Sequence, residues 1–107
     1  MAWVYLVFAG LFEIGFTTSL KLSEGFTKLW PTVFFVVFSL ASFWLLNKSL
    51  DGVPLGTAYA VWTGIGAFGT ALVGILMFGD PLNFWRIFFL VVLVGSIVGL
   101  RAADAAT

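Results

Sequence analysis

Glu13 is the only acidic residue inside an apolar stretch of this chain, and it stands near the middle of the first one. A charged side chain at the centre of a bilayer costs about 3 kcal/mol on insertion scales and more by other treatments. Such a group marks a cavity or a partner, which makes Glu13 a candidate site in its own right. Helical spacing puts Gly10, Phe16 and Thr17 on its face. Gly10 leaves room one turn away, and Thr17 offers a hydroxyl. Ser39 and Ser42 share a face in the second apolar stretch, and Tyr59, Trp62 and Thr63 share one in the third. Each has a plainer use. Serine and threonine in membrane helices bond their own backbone or a neighbouring helix. Aromatic rings pack, and a protonated glutamic acid can bond across to another helix.

Taken together, the set describes one chemistry. A carboxylate beside aromatic faces suits a hydrophobic organic cation, the carboxylate supplying charge and the rings cation–π attraction. Apolar surroundings also favour the protonated acid. Proton and cation then compete for one group, which is the minimum apparatus for coupled exchange.

These residues need helices to hold them. A span takes roughly 20 residues at about 1.5 Å each. The apolar runs predict an all-α membrane protein: a single transmembrane domain over residues 1–107, with helices at about 3–21, 31–49, 55–78 and 84–102. Met1-Ala2-Trp3-Val4 lacks the positive region of a cleaved signal, so the first segment is read as retained. Lys21 ends that segment within snorkelling reach of the interface. Ser23 to Lys28 is a polar turn, and Pro31 suits the first turn of a helix. The third stretch carries no charge but is rich in glycine. Gly64 and Gly66 within it permit close packing or a bend suited to a gating helix. Gly79-Asp80-Pro81 closes it. Arg86 and Arg101 bracket the fourth span and can both snorkel, with Phe84 and Trp85 at the interface. Residues 102–107 read as a disordered tail.

Composition removes the other classes. The chain is 62% hydrophobic and 9% charged, with a mean hydropathy of +1.13, which is no ordinary soluble domain. A soluble bundle would show polar outer faces, and a β-barrel would alternate; neither pattern is present. Zero net charge gives no footprint for nucleic acid. Without cysteine there is no thiol chemistry, and without histidine no metal site is expected. No cofactor is implied. No nucleophile–base pair suggests an enzyme.

Orientation in the bilayer follows the Lys and Arg bias between its two sides. Lys21, Lys28 and Arg86 fall on one side; Lys48, Arg101 and the N-terminal amine fall on the other. The chain carries no clear instruction about which way to insert. Either the insertion machinery or a partner settles it, or both orientations are made. Two oppositely inserted copies would form an antiparallel homodimer and bring two Glu13 side chains to a shared cavity. Gly95-Ser96-Ile97-Val98-Gly99 in the fourth span is a G-x-x-x-G pattern, and Gly95 and Gly99 are the candidate dimer contact.

At these residues the chain resembles the small multidrug resistance family of bacterial exporters over nearly its whole length. Besides Glu13, the resemblance is carried by Leu22-Ser23-Glu24-Gly25-Phe26-Thr27-Lys28-Leu29-Trp30-Pro31, by Ala41-Ser42-Phe43-Trp44-Leu45-Leu46, and by Pro54, Gly56, Ala58-Tyr59-Ala60, Trp62 and Gly64. It implies an antiparallel, dual-topology homodimer in the bacterial inner membrane and proton-coupled antiport by alternating access. Each Glu13 would bind proton and substrate in turn. It places Ser42, Tyr59 and Trp62 in the pocket, with the two aromatic residues flanking the substrate and Ser42 hydrogen-bonding near Glu13.

Two branches of the family are mixed here. Gly10, Arg101 and Trp62-Thr63-Gly64-Ile65-Gly66-Ala67 resemble the guanidinium exporters, which usually carry a Trp where this chain has Phe16. Thr17-Thr18 and the Ser23–Pro31 stretch resemble the multidrug exporters, which typically carry a Tyr where this chain has Ser39. Guanidinium wants a rigid, polar, fully satisfied site. Phe16 and Ser39 suggest a roomier, more apolar one, so the expected cargo is a quaternary ammonium or other hydrophobic organic cation. Guanidinium or alkylguanidinium is the alternative. From another class, a small dual-topology ion channel would show flux without proton coupling. The charge count predicts that a tag on the C-terminal tail is reachable from both faces of the membrane. Strict one-sided labelling would contradict dual topology.

Overall fold

The computed structural model describes residues 1–106. Four α-helices make up the fold: α1 (Ala2–Leu22), α2 (Leu29–Ser49), α3 (Leu55–Met77) and α4 (Phe84–Ala106). All four contain stretches long and apolar enough to cross a membrane, as the sequence predicts. At 21 to 23 residues each, they run about 32–35 Å and match a hydrocarbon core of about 30 Å. Pro31 sits in the first turn of α2, where its missing N–H leaves no intrahelical bond unmade. At the start of α4, Asn83 Oδ1 accepts the Arg86 amide at 3.0 Å.

One expectation is corrected at the C-terminus. The segment from Ala102 was read as a disordered tail, but α4 continues through it to Ala106. Its alanines are the strongest helix formers. Thr107 lies outside the described residues.

The turn between α1 and α2 is tightly specified. Glu24, Gly25 and Phe26 are successive left-handed residues, at φ 49°, 75° and 66°. Two of them are not glycine, which costs energy unless other contacts hold them. Buried Ser23 is one such contact: its Oγ donates to the Leu20 carbonyl at 2.7 Å and accepts the Phe26 amide at 3.1 Å. The Phe26 ring meets Phe35 of α2 edge-on, with centroids 5.3 Å apart.

α1 lies between α2 and α3, while α4 packs along α3. The molecule is a slab, 47 × 35 × 16 Å. Its buried apolar core is small: Leu6, Ala9, Val53, Ala58, Val61 and Trp62. Among the described side chains of α4 none is buried. Most of the apolar surface therefore faces outward, as lipid requires.

Glycines bring the helices together. A methyl at Gly10 of α1 would stand 2.6 Å from Ile65 Cγ2 and 2.7 Å from its Cβ. In return, α1 pushes Glu13 against Gly66 and Ile14 against Gly69. Gly64 receives Ile97 of α4, 2.8 Å from where a methyl would sit. α3 is one continuous helix, and Gly64 and Gly66 both sit at close approaches within it. Gly10 is no open space, because Ile65 fills it. Gly10→Ala should therefore cost about 1–3 kcal/mol and lower the unfolding midpoint in detergent. Gly56→Ala, where a methyl meets nothing, should leave that midpoint unchanged or raise it.

Candidate functional site

Glu13 is a partly buried side chain at the seam of α1 and α3. A methyl on Gly66 would overlap Oε1, Cδ and Cγ of Glu13, so the carboxylate lies directly on the α3 backbone. Its Oε1 is buried and accepts no hydrogen bond among the described residues. An ionised oxygen in that state is costly, and a bound proton or cation relieves the cost.

A short polar relay braces the turn before it. Trp62 Nε1 donates to Ser42 Oγ at 2.9 Å, and Ser42 Oγ donates to the Ala9 carbonyl at 2.7 Å. Ser42 is fully buried and Trp62 nearly so. Ala9 precedes Glu13 by four residues, so its carbonyl is the regular helical acceptor for the Glu13 amide. The relay ties α3 and α2 to α1 one turn from the carboxylate. Ser42 thus acts on the backbone beside Glu13.

Aromatic rings continue from the relay. Trp62 lies 6.0 Å from Tyr59 and 5.5 Å from Phe43, centroid to centroid. Phe16, one turn beyond Glu13, touches Trp62 at 6.5 Å, Phe43 at 6.1 Å and Phe35 at 5.8 Å. Tyr59 and Phe43 are exposed. The cluster therefore offers open ring faces beside an apolar wall, the arrangement that attracts a desolvated cation.

The structure joins Phe16, Tyr59, Trp62 and Ser42 in one chain of contacts that ends on the Ala9 carbonyl, one turn before Glu13 on α1. Thr17 belongs to the α1–α3 seam instead, bonded to Thr70 Oγ1 at 2.6 Å. Ser39 Oγ is buried and accepts or donates no hydrogen bond among the described residues. Thr63 is exposed on α3, outside these contacts. Gly95 and Gly99 are exposed on α4, with nothing within 4 Å of an added methyl. Phe35 and Phe43 were not singled out from sequence. Their signal was there: Phe35, Ser39 and Phe43 follow one another at four-residue steps. Thr70 was also passed over, and only its contact with Thr17 reveals it.

Residues 1–93 match the family model of the Small Multidrug Resistance protein. This chain belongs to the small multidrug resistance family. Small multidrug resistance proteins are transporters, not enzymes, and the four apolar helices make this one a multi-pass protein of the inner membrane. A guanidinium exporter of Proteus vulgaris is 44% identical over 97% of this chain and 100% of its own length. A guanidinium exporter of Yersinia pseudotuberculosis is 46% identical over the same shares. One from Escherichia coli K12 is 44% identical over 94% of this chain and 96% of its own.

The relay makes a quantitative prediction. Ser42→Ala orphans the Trp62 N–H and should cost about 1–3 kcal/mol. Trp62→Phe in the Ser42→Ala background should then cost less than in the parent. A double-mutant cycle on unfolding in detergent should give a coupling of about 0.5–1.5 kcal/mol. Additive losses would mean that the bond contributes nothing.

Proposed function

We propose that this small multidrug resistance protein exports guanidinium or closely related small organic cations in exchange for protons. In this reading it works by alternating access as an antiparallel homodimer, and Glu13 holds proton and cation in turn. The observation that carries the proposal is the Glu13 carboxylate, set on the α3 backbone at Gly66 with a buried, unbonded oxygen. It is an acceptor without a donor, in a place where being ionised and alone is unfavourable. A proton or a donor-bearing cation satisfies it, and one displaces the other.

The choice of guanidinium reverses the substrate order expected from sequence. That expectation rested on Phe16, which removes a potential donor, and on Ser39, which with it suggests a roomier, more apolar pocket. Two things speak for guanidinium instead. The relatives named above are guanidinium exporters over nearly their full length. The Trp62–Ser42–Ala9 relay also gives the site a rigid polar brace that does not depend on residue 16. Quaternary ammonium ions remain the second reading. The contacts of Phe16 with Phe35, Phe43 and Trp62 favour it, since they make one wall apolar.

A homodimer supplies what one slab-shaped chain lacks, a second wall for the cavity. Gly95 and Gly99 form a small-residue stripe on the outer face of α4, which suits close helix contact. Bending of α3 at Gly64 and Gly66 during the cycle belongs to the same proposal.

Purified protein in liposomes should take up guanidinium down an outward proton gradient, with the lumen acidic, and collapse that gradient as it does so. Glu13→Gln should reduce this exchange to background. Proton-coupled uptake retained in that variant would sink the mechanism. Faster turnover of tetramethylammonium than of guanidinium in the parent would restore the quaternary-ammonium reading.

A further inference from the structure

Beyond the Thr17–Thr70 contact, the ends of α1 and α3 border a partly open cavity of about 170 Å³. Thr17, Thr18, Thr70, Lys21, Phe78 and Asp80 contribute to its wall. Glu13 does not. Thr18 Oγ1 donates to the Ile14 carbonyl at 2.8 Å, and Thr17 Oγ1 donates to the same oxygen at 3.0 Å. The Thr17 and Thr70 hydroxyls share a 2.6 Å hydrogen bond in which either can donate. Each of the three hydroxyl oxygens keeps a lone pair for the cavity.

Asp80 adds a carboxylate whose position is fixed by the backbone. The Phe78 and Asp80 amides both donate to the Gly74 carbonyl, each at 3.0 Å, and Gly79 makes the turn at φ 72°. The carboxylate lies over Gly74, where a methyl would collide with it. α1 and α3 both end here, and helix C-termini carry partial negative charge. The Phe78 ring completes the wall, and the Lys21 ammonium stands 5.9 Å from its centroid. Val73 is the apolar part of the wall; the hydroxyl oxygens, the Asp80 carboxylate, the helix ends and the Phe78 ring all attract a cation, and the chain's own ammonium is already at that ring.

We propose that this cavity is a peripheral binding site for a small, donor-rich cation of the guanidinium class, with Lys21 as its resident occupant when no substrate is bound. Hydroxyl and carboxylate oxygens call for N–H groups, which guanidinium has and a tetraalkylammonium ion lacks. The volume is that of about five waters, enough for a compact planar ion. Thr17 is one turn from Glu13, so the cavity begins roughly 6 Å further along α1. It lies between Glu13 and the membrane face at which α1 and α3 end. A cation held there is next in line for Glu13 or has just left it. Lys21 is exposed on a long flexible stem and can swing clear. The identity of the ligand rests on the guanidinium reading above.

The test is a guanidinium titration of the full-length Glu13→Gln protein in bicelles, read by amide NMR shifts. Saturable shifts are expected at Thr70, Gly74 and Phe78 although the central carboxylate is gone. Adding Asp80→Asn should weaken that binding about fivefold, and adding Lys21→Gln should strengthen it about fivefold. A gain of affinity cannot come from misfolding, which protects the test if the Asp80 variant is unstable. Tetramethylammonium should leave these amides unmoved. Absence of saturable shifts at these three positions, or an unchanged affinity in the Lys21→Gln background, would overturn the proposal. The two readings fail separately. Loss of proton coupling at Glu13 would leave the peripheral shifts in place, and loss of the shifts would leave coupled exchange in place.

Discussion

A carboxylate in hydrocarbon has to be enclosed, and here the enclosure is the seam between α1 and α3. Glu13 reaches Gly66, Ile14 reaches Gly69, and Ile65 reaches back to Gly10. Each contact puts a side chain where its partner has none. The helices approach closely because of this, and without the approach the carboxylate would face lipid at a cost of several kcal/mol. The same glycines therefore set both the packing and the chemistry. Helix association in a membrane leans on such small residues, since lipid provides no hydrophobic drive between helices.

Around this seam the polar groups divide by task. Ser42 and Trp62 hold the α1 backbone one turn before Glu13. Thr17 and Thr70 hold the seam one turn after it. The carboxylate itself is left with a buried oxygen that no donor among the described residues satisfies. Ser42, Trp62, Thr17 and Thr70 are bonded and Glu13 Oε1 is not, among the described residues, which leaves its protonation and its ligand free to change. The aromatic cluster of Phe16, Phe43, Tyr59 and Trp62 joins α1, α2 and α3, and the cavity at Asp80 lies at the C-terminal ends of α1 and α3. An apolar wall and a polar approach to one carboxylate fit a substrate that is both cationic and rich in N–H donors.

Much of this was legible in the sequence because membrane insertion is so restrictive. Four long apolar runs admit few folds, and a lone Glu13 within one of them draws attention by its cost. Helical spacing then picked out Gly10, Phe16, Thr17, Ser39, Ser42, Tyr59, Trp62 and Thr63, of which Phe16, Ser42, Tyr59 and Trp62 fall in one chain of contacts. What stayed hidden was pairing across helices. Nothing in the spacing of Gly10 says that Ile65 will fill it, and nothing in Gly66 says that it seats Glu13. Glycine reads as room or flexibility until its neighbour is known. Thr70 was invisible for the same reason, because its meaning lies in Thr17. The end of α4 was misread because a short alanine-rich segment after the last arginine resembles a tail in composition while its propensity is helical.

The central claim is that proton and cation compete for one carboxylate. The direct measurement is isotope-edited infrared spectroscopy of Glu13 as guanidinium is added to protein in an unbuffered suspension. The account predicts that the protonated-carboxyl band gives way to carboxylate bands, with matching proton release to the medium. Saturable guanidinium binding with the Glu13 carboxyl bands unchanged and no proton released would contradict it.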